Sequence, residues 1–198
     1  MKSIHLALIS LFSVAALAQA PPTTTRVRGS LEAIDAGSMV VKDRSGREVR
    51  LKVADDLSVT EVLPIDPSAI QSGSFVGTTA IPGRDGALSA LEVHVFPEAA
   101  RGTGEGHRPF DLQPGSTMTN ATVAKIAPVA NGRKMTLRYK GGEQTIVVPD
   151  GVPVITMRPG DRSLLVPGAK LTVTVDSRSG TPTVTRALVG RNGFAPPV

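Results

Sequence analysis

Residues 97–120, PEAARGTGEGHRPFDLQPGSTMTN, divide the chain into two β-patterned halves that resemble each other. The segment is rich in glycine and charge, it contains His107, and His94 lies just before it. It lacks the strict alternation of apolar and polar residues that is typical of a half-buried strand. We therefore predict that it connects two β-domains and that a functional site, if the protein has one, lies here.

The half that precedes this segment has the pattern of short strands. Residues 48–53, EVRLKV, alternate charged and apolar side chains, a period of two that predicts a half-buried antiparallel strand. Asp66 followed by Pro67 predicts a short helical turn, because the pair combines an N-cap residue with a proline in the first helical position. Residues 84–86, Arg-Asp-Gly, predict a hairpin turn between the last two strands of this half.

The second half repeats this order of elements. Its strands, its turn at residues 141–142 and its short helical turn follow those of the first half at a nearly constant offset of about 95 residues, which indicates an internal duplication. Three strands, a helical turn and two further strands are typical of an OB-fold, a small five-stranded barrel. The sequence thus predicts an all-β protein of two tandem OB-like antiparallel barrels at residues 26–96 and 120–190. The connector spans residues 97–119 and a tail spans residues 191–198.

Residues 1–20 have the pattern of a secretory signal peptide. Lys2 precedes a mostly apolar run, and small residues allow cleavage after Ala18 or near Ala20. The alternative is a membrane anchor, but the run is shorter than the ~20 apolar residues of a spanning helix. We expect a periplasmic or secreted protein with no transmembrane segment in the mature chain.

The composition excludes several kinds of chemistry. The chain has no cysteine, which rules out thiolate nucleophiles, thiolate metal sites and disulfides. The net charge of +5 comes from interleaved basic and acidic residues and aromatic residues are scarce, so a nucleic-acid partner is not expected. No Gly-x-Ser-x-Gly nucleophile motif is present. We therefore predict that the protein is not an enzyme but a binding or adaptor protein, with a partner in the periplasm or the cell envelope.

The connector provides the predicted binding residues. Gly102, Gly104 and Gly106 superficially resemble a phosphate loop, but no helix pattern follows them, so a connector that needs positive φ angles is the better interpretation. Charged and aromatic side chains around these glycines are the expected contact surface. They are Arg101, Glu105, His107, Arg108, Phe110 and Asp111.

A metal site is the alternative function. Two imidazoles and a carboxylate, His94, His107 and Glu98, could hold a divalent ion such as zinc. The spacing between the histidines matches no compact ligand motif, so the primary expectation is that the protein has no cofactor. On its strand His94 shares a face with Glu92 and Phe96, which predicts that its ring is exposed or faces the other domain.

The chain also resembles a family of exported bacterial proteins of unknown function. The resemblance is carried by VRGSLEAID at residues 27–35, SGREVRLKVADD at residues 45–56, ALVGRNGFAPP at residues 187–197 and, most specifically, by the central region at residues 70–123. It implies tandem OB-like domains. Members of the family are often labelled as metal transporter permeases, but this chain has no predicted spanning helix after its signal. The resemblance leaves open a soluble partner of a metal transporter and implies no catalytic residues.

Overall fold

The computed structural model describes residues 23–83 and 87–197. The predicted signal peptide at residues 1–20 and the hairpin turn at residues 84–86 lie outside these ranges. The strands are β1 (Thr24–Ile34), β2 (Ser38–Asp43), β3 (Glu48–Pro64), β4 (Phe75–Pro82), β5 (Leu88–Val95), β6 (Gly106–Pro109), β7 (Thr117–Val129), β8 (Gly132–Tyr139), β9 (Gly142–Pro149), β10 (Val154–Pro159), β11 (Lys170–Asp176) and β12 (Thr183–Gly190).

The described helical segments are short 3-10 turns. The turns at Pro67–Ala69 and Arg162–Leu164 are each capped by an aspartate. The Asp66 side chain accepts a hydrogen bond from Ser68 N, and the Asp161 side chain accepts one from Ser163 N. The helical turn predicted at Asp66-Pro67 is therefore confirmed. Among the described residues, no helix has the length and apolar character needed to cross a membrane.

The first barrel is a closed ring of five strands in the order β1-β2-β3-β12-β11. All neighbours are antiparallel except β3 and β12, which are parallel. Its core is aliphatic, with fully buried residues such as Leu31, Met39 and Val173.

The second barrel is a ring in the order β7-β8-β9-β5-β4. It closes through a short parallel contact of β5 with β9, in which Leu88 lies opposite Ile146 and Ser89 opposite Val147. Met135, Leu137 and other aliphatic residues fill its core.

Both rings have the spatial strand order of an OB-fold, with one parallel pair each, but in the second ring β4 and β5 precede β7, β8 and β9 in the chain, which makes its connectivity a circular permutation. The predicted all-β, barrel-containing fold is confirmed. Each barrel, however, takes three strands from one half of the chain and two from the other. This corrects the division into tandem domains at residues 26–96 and 120–190, whose boundary does not separate the barrels.

The physical reason is the length of β3. This strand has 17 residues, so it closes the first barrel through its pairing with β12 and also reaches β10. Its end pairs antiparallel with β10, from Thr60 opposite Pro159 to Pro64 opposite Ile155. Alternation of apolar and polar residues predicts a strand but not the barrel that the strand joins. The sequence pattern therefore could not reveal that the two halves of the chain exchange strands.

The second barrel is thus an insertion in the first. Its core residues all lie between Ile70 and Val154, whereas those of the first barrel lie on both sides of that range. Two backbone hydrogen bonds join the chain segment that enters the second barrel to the segment that leaves it. Gly160 N donates to Val59 O at 3.0 Å, and Ile65 N donates to Val154 O at 2.9 Å. Gly160 and Ile65, the two donors, and Val154 and Val59, the two acceptors, are each separated by the duplication offset of about 95 residues.

Candidate functional site

A pocket of about 380 Å³ lies between the outer faces of the two barrels. The first barrel provides residues of β1, β3, β11 and β12, the second barrel provides residues of β4, β5 and β7, and the connector covers one side. The pocket is lined by Arg26, Ser58, Thr60, Gly77, Glu92, His94, Phe96, Thr103, Arg108, Phe110, Met118, Asn120, Met157, Thr174, Arg186 and Leu188. A concave apolar surface between domains, with a few polar groups that converge on it, is the usual form of a small-ligand site.

Glu92 is the most unusual side chain of this pocket. It is 1% exposed, and neither of its carboxyl oxygens has a hydrogen-bond partner in the described part of the chain. Burial raises the pKa of Glu92 to about 8, although the nearby positive charge of Arg28 opposes this shift. The carboxyl group is therefore neutral over most of the physiological range and can donate a hydrogen bond.

His94 and Asn120 also have unpartnered atoms at the pocket. His94 is 7% exposed, and its Nε2 has no hydrogen-bond partner among the described residues. Its ring packs on Phe96 with 4.0 Å between the ring centroids, and burial lowers the pKa of His94 to about 4, so the imidazole is neutral. Of the two predicted environments for His94, the structure shows the one in which the ring faces the other domain.

The Asn120 side chain, 6% exposed, has a fixed orientation. Its Nδ2 donates to the carbonyl oxygen of Thr103 at 2.9 Å, and its Oδ1 has no partner in the residues that the structure describes. Gly77 leaves room for this amide, because a Cβ atom at that position would lie 2.8 Å from Asn120 Oδ1. Buried polar groups are almost always hydrogen-bonded in proteins, so three such groups at one pocket require an explanation.

The connector packs on the second barrel through three of the predicted binding residues. Arg101 Nη1 donates to Thr122 Oγ1 of β7 at 3.5 Å, and its Nε also pairs with Glu98 Oε1 of the connector at 2.6 Å. Glu105 Oε1 accepts a hydrogen bond from Lys140 N at 2.9 Å, and His107 Nδ1 lies 2.8 Å from Thr119 Oγ1. These contacts hold the connector in place. The three residues do not line the pocket.

The other predicted binding residues lie at the pocket or beside it. Arg108 and Phe110 line the pocket, and Arg26 of the first barrel lies over the Phe110 ring at 5.1 Å from its centroid. Asp111 Oδ1 accepts hydrogen bonds from Arg26 Nη1 and Arg28 Nη2, both at 3.0 Å. Burial raises the pKa of Asp111, but the hydrogen bond from Arg28 and the two positive charges outweigh it and hold this pKa below its usual value.

The glycines of the connector have the backbone conformation that the sequence suggests. Gly102, Gly104 and Gly106 all have positive φ angles. The resulting turns bring the Thr103 carbonyl to Asn120 and the Gly104 carbonyl to Arg108, whose Nη1 donates to it at 2.8 Å. Positive φ angles are the feature that the connector interpretation requires.

The three residues predicted as metal ligands are not brought together. His94 lies in the pocket. His107, on the connector strand β6, bonds Thr119 of β7, and the Glu98 carboxylate is paired with Arg101. Within residues 23–83 and 87–197, no group of three or more His, Cys, Asp or Glu side chains is arranged to hold a metal ion.

Replacing Asp111 tests how firmly the connector is held against the first barrel. In Asp111→Asn both arginines lose a charged partner, and the Arg28 side chain is only 10% exposed, so little water can compensate. We expect unfolding by urea to show a loss of about 1–2 kcal/mol. The matched control is Glu98→Gln, which breaks a pair whose acidic side chain is 78% exposed and should therefore reduce stability much less than Asp111→Asn does. Equal losses in the two variants would contradict this account of the connector.

Sequence reasoning missed several lining residues, among them Glu92, Asn120, Arg26 and Arg186. The one signal for Glu92 was its position on a strand face shared with His94 and Phe96, where a charged residue is followed by two aromatic rings. Arg186 and Arg26 could not be assigned, because only the exchange of strands places β12 and β1 opposite β5.

Comparison of the chain with protein-family models, with curated proteins and with solved structures finds no match in any of the three. Function is therefore inferred from the pocket itself. Fold and site together define a class of protein: an all-β, two-barrel protein with a partly polar pocket between its barrels.

Proposed function

We propose that the protein is an exported, non-enzymatic binding protein that holds a small ligand between its two barrels. The observation that supports this function most strongly is the convergence of Glu92, His94 and Asn120 on one pocket, each buried and each with an unpartnered polar atom. An unpaired buried polar group costs about 1–3 kcal/mol, so the fold would be more stable without these three side chains. A ligand that bonds them recovers that energy on binding.

Binding fits the chemistry of these groups better than catalysis does. Perturbed pKa values also mark catalytic acids and bases, but in this pocket burial is the main cause of both shifts. In the described part of the chain His94 Nε2 has no hydroxyl partner, so this imidazole forms no Ser–His or Thr–His pair through that atom. The alternative function, divalent-metal binding linked to metal transport, has no supporting observation, because its three predicted ligands do not converge.

The connector has a specific role in this proposal. It was predicted as a contact surface, and Thr103, Arg108 and Phe110 form one wall of the pocket. Its other side chains are bonded to the second barrel through Lys140 and Thr119 and to the first barrel through Arg26 and Arg28. The wall is thus held from both sides, which favours a pre-formed site over one that a ligand must order.

A blocked pocket tests the proposed function. Ser58 is an exposed residue of β3 at the pocket, and Ser58→Trp places a bulky indole at the cavity. We expect saturation-transfer NMR with a mixed library of small acids, amines and neutral compounds to detect binding to the unmodified chain and not to Ser58→Trp. The matched control is Asp56→Trp, an exposed position on the same strand outside the pocket, which should bind as the unmodified chain does. No binding by any compound, or binding that survives Ser58→Trp, would contradict the proposal.

A further inference from the structure

We propose that the pocket takes a small organic monocarboxylate with an apolar body and a hydrogen-bond donor. This inference rests on the proposed function and adds the chemical class of the ligand. It is carried by the charge of the pocket rim, the apolar character of its walls and the particular atoms that lack partners.

The charges at the pocket favour an anion. Three arginines line it, namely Arg26, Arg108 and Arg186, whereas Glu92 is the one carboxyl group of the lining. Arg26 is compensated by Asp111, but Arg108 and Arg186 form no ion pair among the described residues. This excess of positive charge repels a cationic ligand and attracts an anionic one.

The walls limit the anion to one with an apolar body. Phe96, Phe110, Met118, Met157 and Leu188 form much of the lining. The cavity of about 380 Å³ lies near the lower end of the range for small-molecule sites, about 300–1,000 Å³. A free inorganic anion would leave these side chains without contacts, so the ligand is an organic acid of modest size.

The unpartnered atoms indicate where the polar groups of the ligand bind. A protonated Glu92 can donate to a carboxylate, which is a charge-assisted and therefore strong hydrogen bond. Asn120 Oδ1 can only accept, and the Asn120 amide cannot reverse without losing its bond to Thr103, so this atom requires a hydroxyl or N–H group of the ligand. His94 Nε2 can donate or accept according to its tautomer.

Three probes with one ring and different head groups test the ligand class. They are 4-hydroxyphenylacetate, 4-hydroxyphenylacetamide and tyramine, which offer an anion, a neutral amide and a cation. We expect calorimetry at pH 7 on the chain from residue 21 onward to show that the acid binds about tenfold more tightly than the amide or the amine. Phenylacetate, which lacks the hydroxyl donor, should bind about three- to fivefold more weakly than its hydroxylated counterpart.

Arg186 provides a variant that tests the charge directly. It is an exposed residue of β12 at the pocket, so Arg186→Gln should leave the fold intact. We expect this variant to weaken binding of the acid about three- to fivefold and to leave binding of the amide unchanged. The matched control, Lys52→Gln, removes a charge from an exposed β3 position outside the pocket and should change neither affinity.

The possible results separate this inference from the proposed function. Tightest binding of the amide or the amine, if abolished by Ser58→Trp, would overturn the assignment of an anionic ligand and leave the pocket as a binding site. Absence of binding by all the probes would also overturn the ligand class, while the wider library decides the proposed function. Equal affinity for the acid and the amide, with no effect of Arg186→Gln, would show that charge does not select the ligand.

Discussion

Glu92→Gln is expected to stabilise the protein by about 2–4 kcal/mol at pH 7.5, a rise in Tm of about 5–10 °C. The pKa of Glu92 is raised from its ordinary value of 4.5 to about 8 in the folded protein. At pH 7.5 folding must therefore return a proton to a carboxylate that is ionised in the unfolded chain, at about 1.4 kcal/mol for each pKa unit. A glutamine of similar shape is neutral in both states and avoids this cost.

The pH dependence gives the same prediction a second measurement. Between about pH 4.5 and pH 8 the folded state holds a proton on Glu92 that the unfolded state has released, so this residue lowers stability as the pH rises. His94 acts in the opposite direction, because its pKa is lowered from 6.5 to about 4 and stability is lost as the pH falls through that window. The two effects oppose each other between about pH 4.5 and pH 6.5, and above that range the decline due to Glu92 remains.

Urea unfolding at several pH values checks these expectations. The unmodified chain should lose stability between pH 6.5 and pH 8, and Glu92→Gln should remove this loss. Glu48→Gln, an exposed substitution on β3, serves as the matched control and should change stability by less than about 0.5 kcal/mol. If Glu92→Gln destabilised the protein at pH 7.5, the carboxylate would have to be ionised and well bonded, and the argument from unpartnered groups would fail.

The second large effect concerns the fragments of the chain that can fold. We expect a fragment of residues 64–156 to unfold cooperatively on its own, because it contains all five strands and the whole core of the second barrel. The fragment of residues 26–96 should not fold as a monomer. Its strands β1 to β3 lack β11 and β12, and its strands β4 and β5 lack β7 and β9.

Circular dichroism and amide NMR spectra of the two fragments test the insertion directly. Dispersed spectra and a sigmoidal thermal transition are expected for residues 64–156 alone. The fragment of residues 120–190 is the matched comparison of the second half, and it should also fail to fold as a monomer, because β11 and β12 belong to the first barrel. A monomeric, cooperatively folded fragment of residues 26–96 would show that the halves close on themselves and would contradict the exchange of strands.

These two predictions show which features the sequence could reveal. Alternation in residues 48–53 and the Asp66-Pro67 pair are local signals, and both predicted their elements correctly because strand burial and helix capping depend on near neighbours. Which strands close each barrel depends on pairings between residues far apart in the chain, such as β3 with β12 and β5 with β9. A periodic pattern along one strand carries no information on these long-range partners.

The candidate site was predictable only in part, for the same reason. Arg108 and Phe110 were identified because the connector differs in composition from the strands around it. Glu92 and Asn120 lie on strands and would be solvated surface residues if the barrels did not face each other. Their burial and their unpartnered atoms are properties of the assembled pair of barrels.

Glu92, His94 and Asn120 together form the proposed binding site. An NMR titration of the chain from residue 21 onward with 4-hydroxyphenylacetate tests it most directly, by following the Glu92 carboxyl carbon, the His94 ring and the Asn120 side-chain amide. We expect saturable shifts of all three groups with one common affinity, and their loss in Ser58→Trp. Unchanged signals from these three groups, with shifts confined to exposed basic side chains outside the pocket, would contradict it.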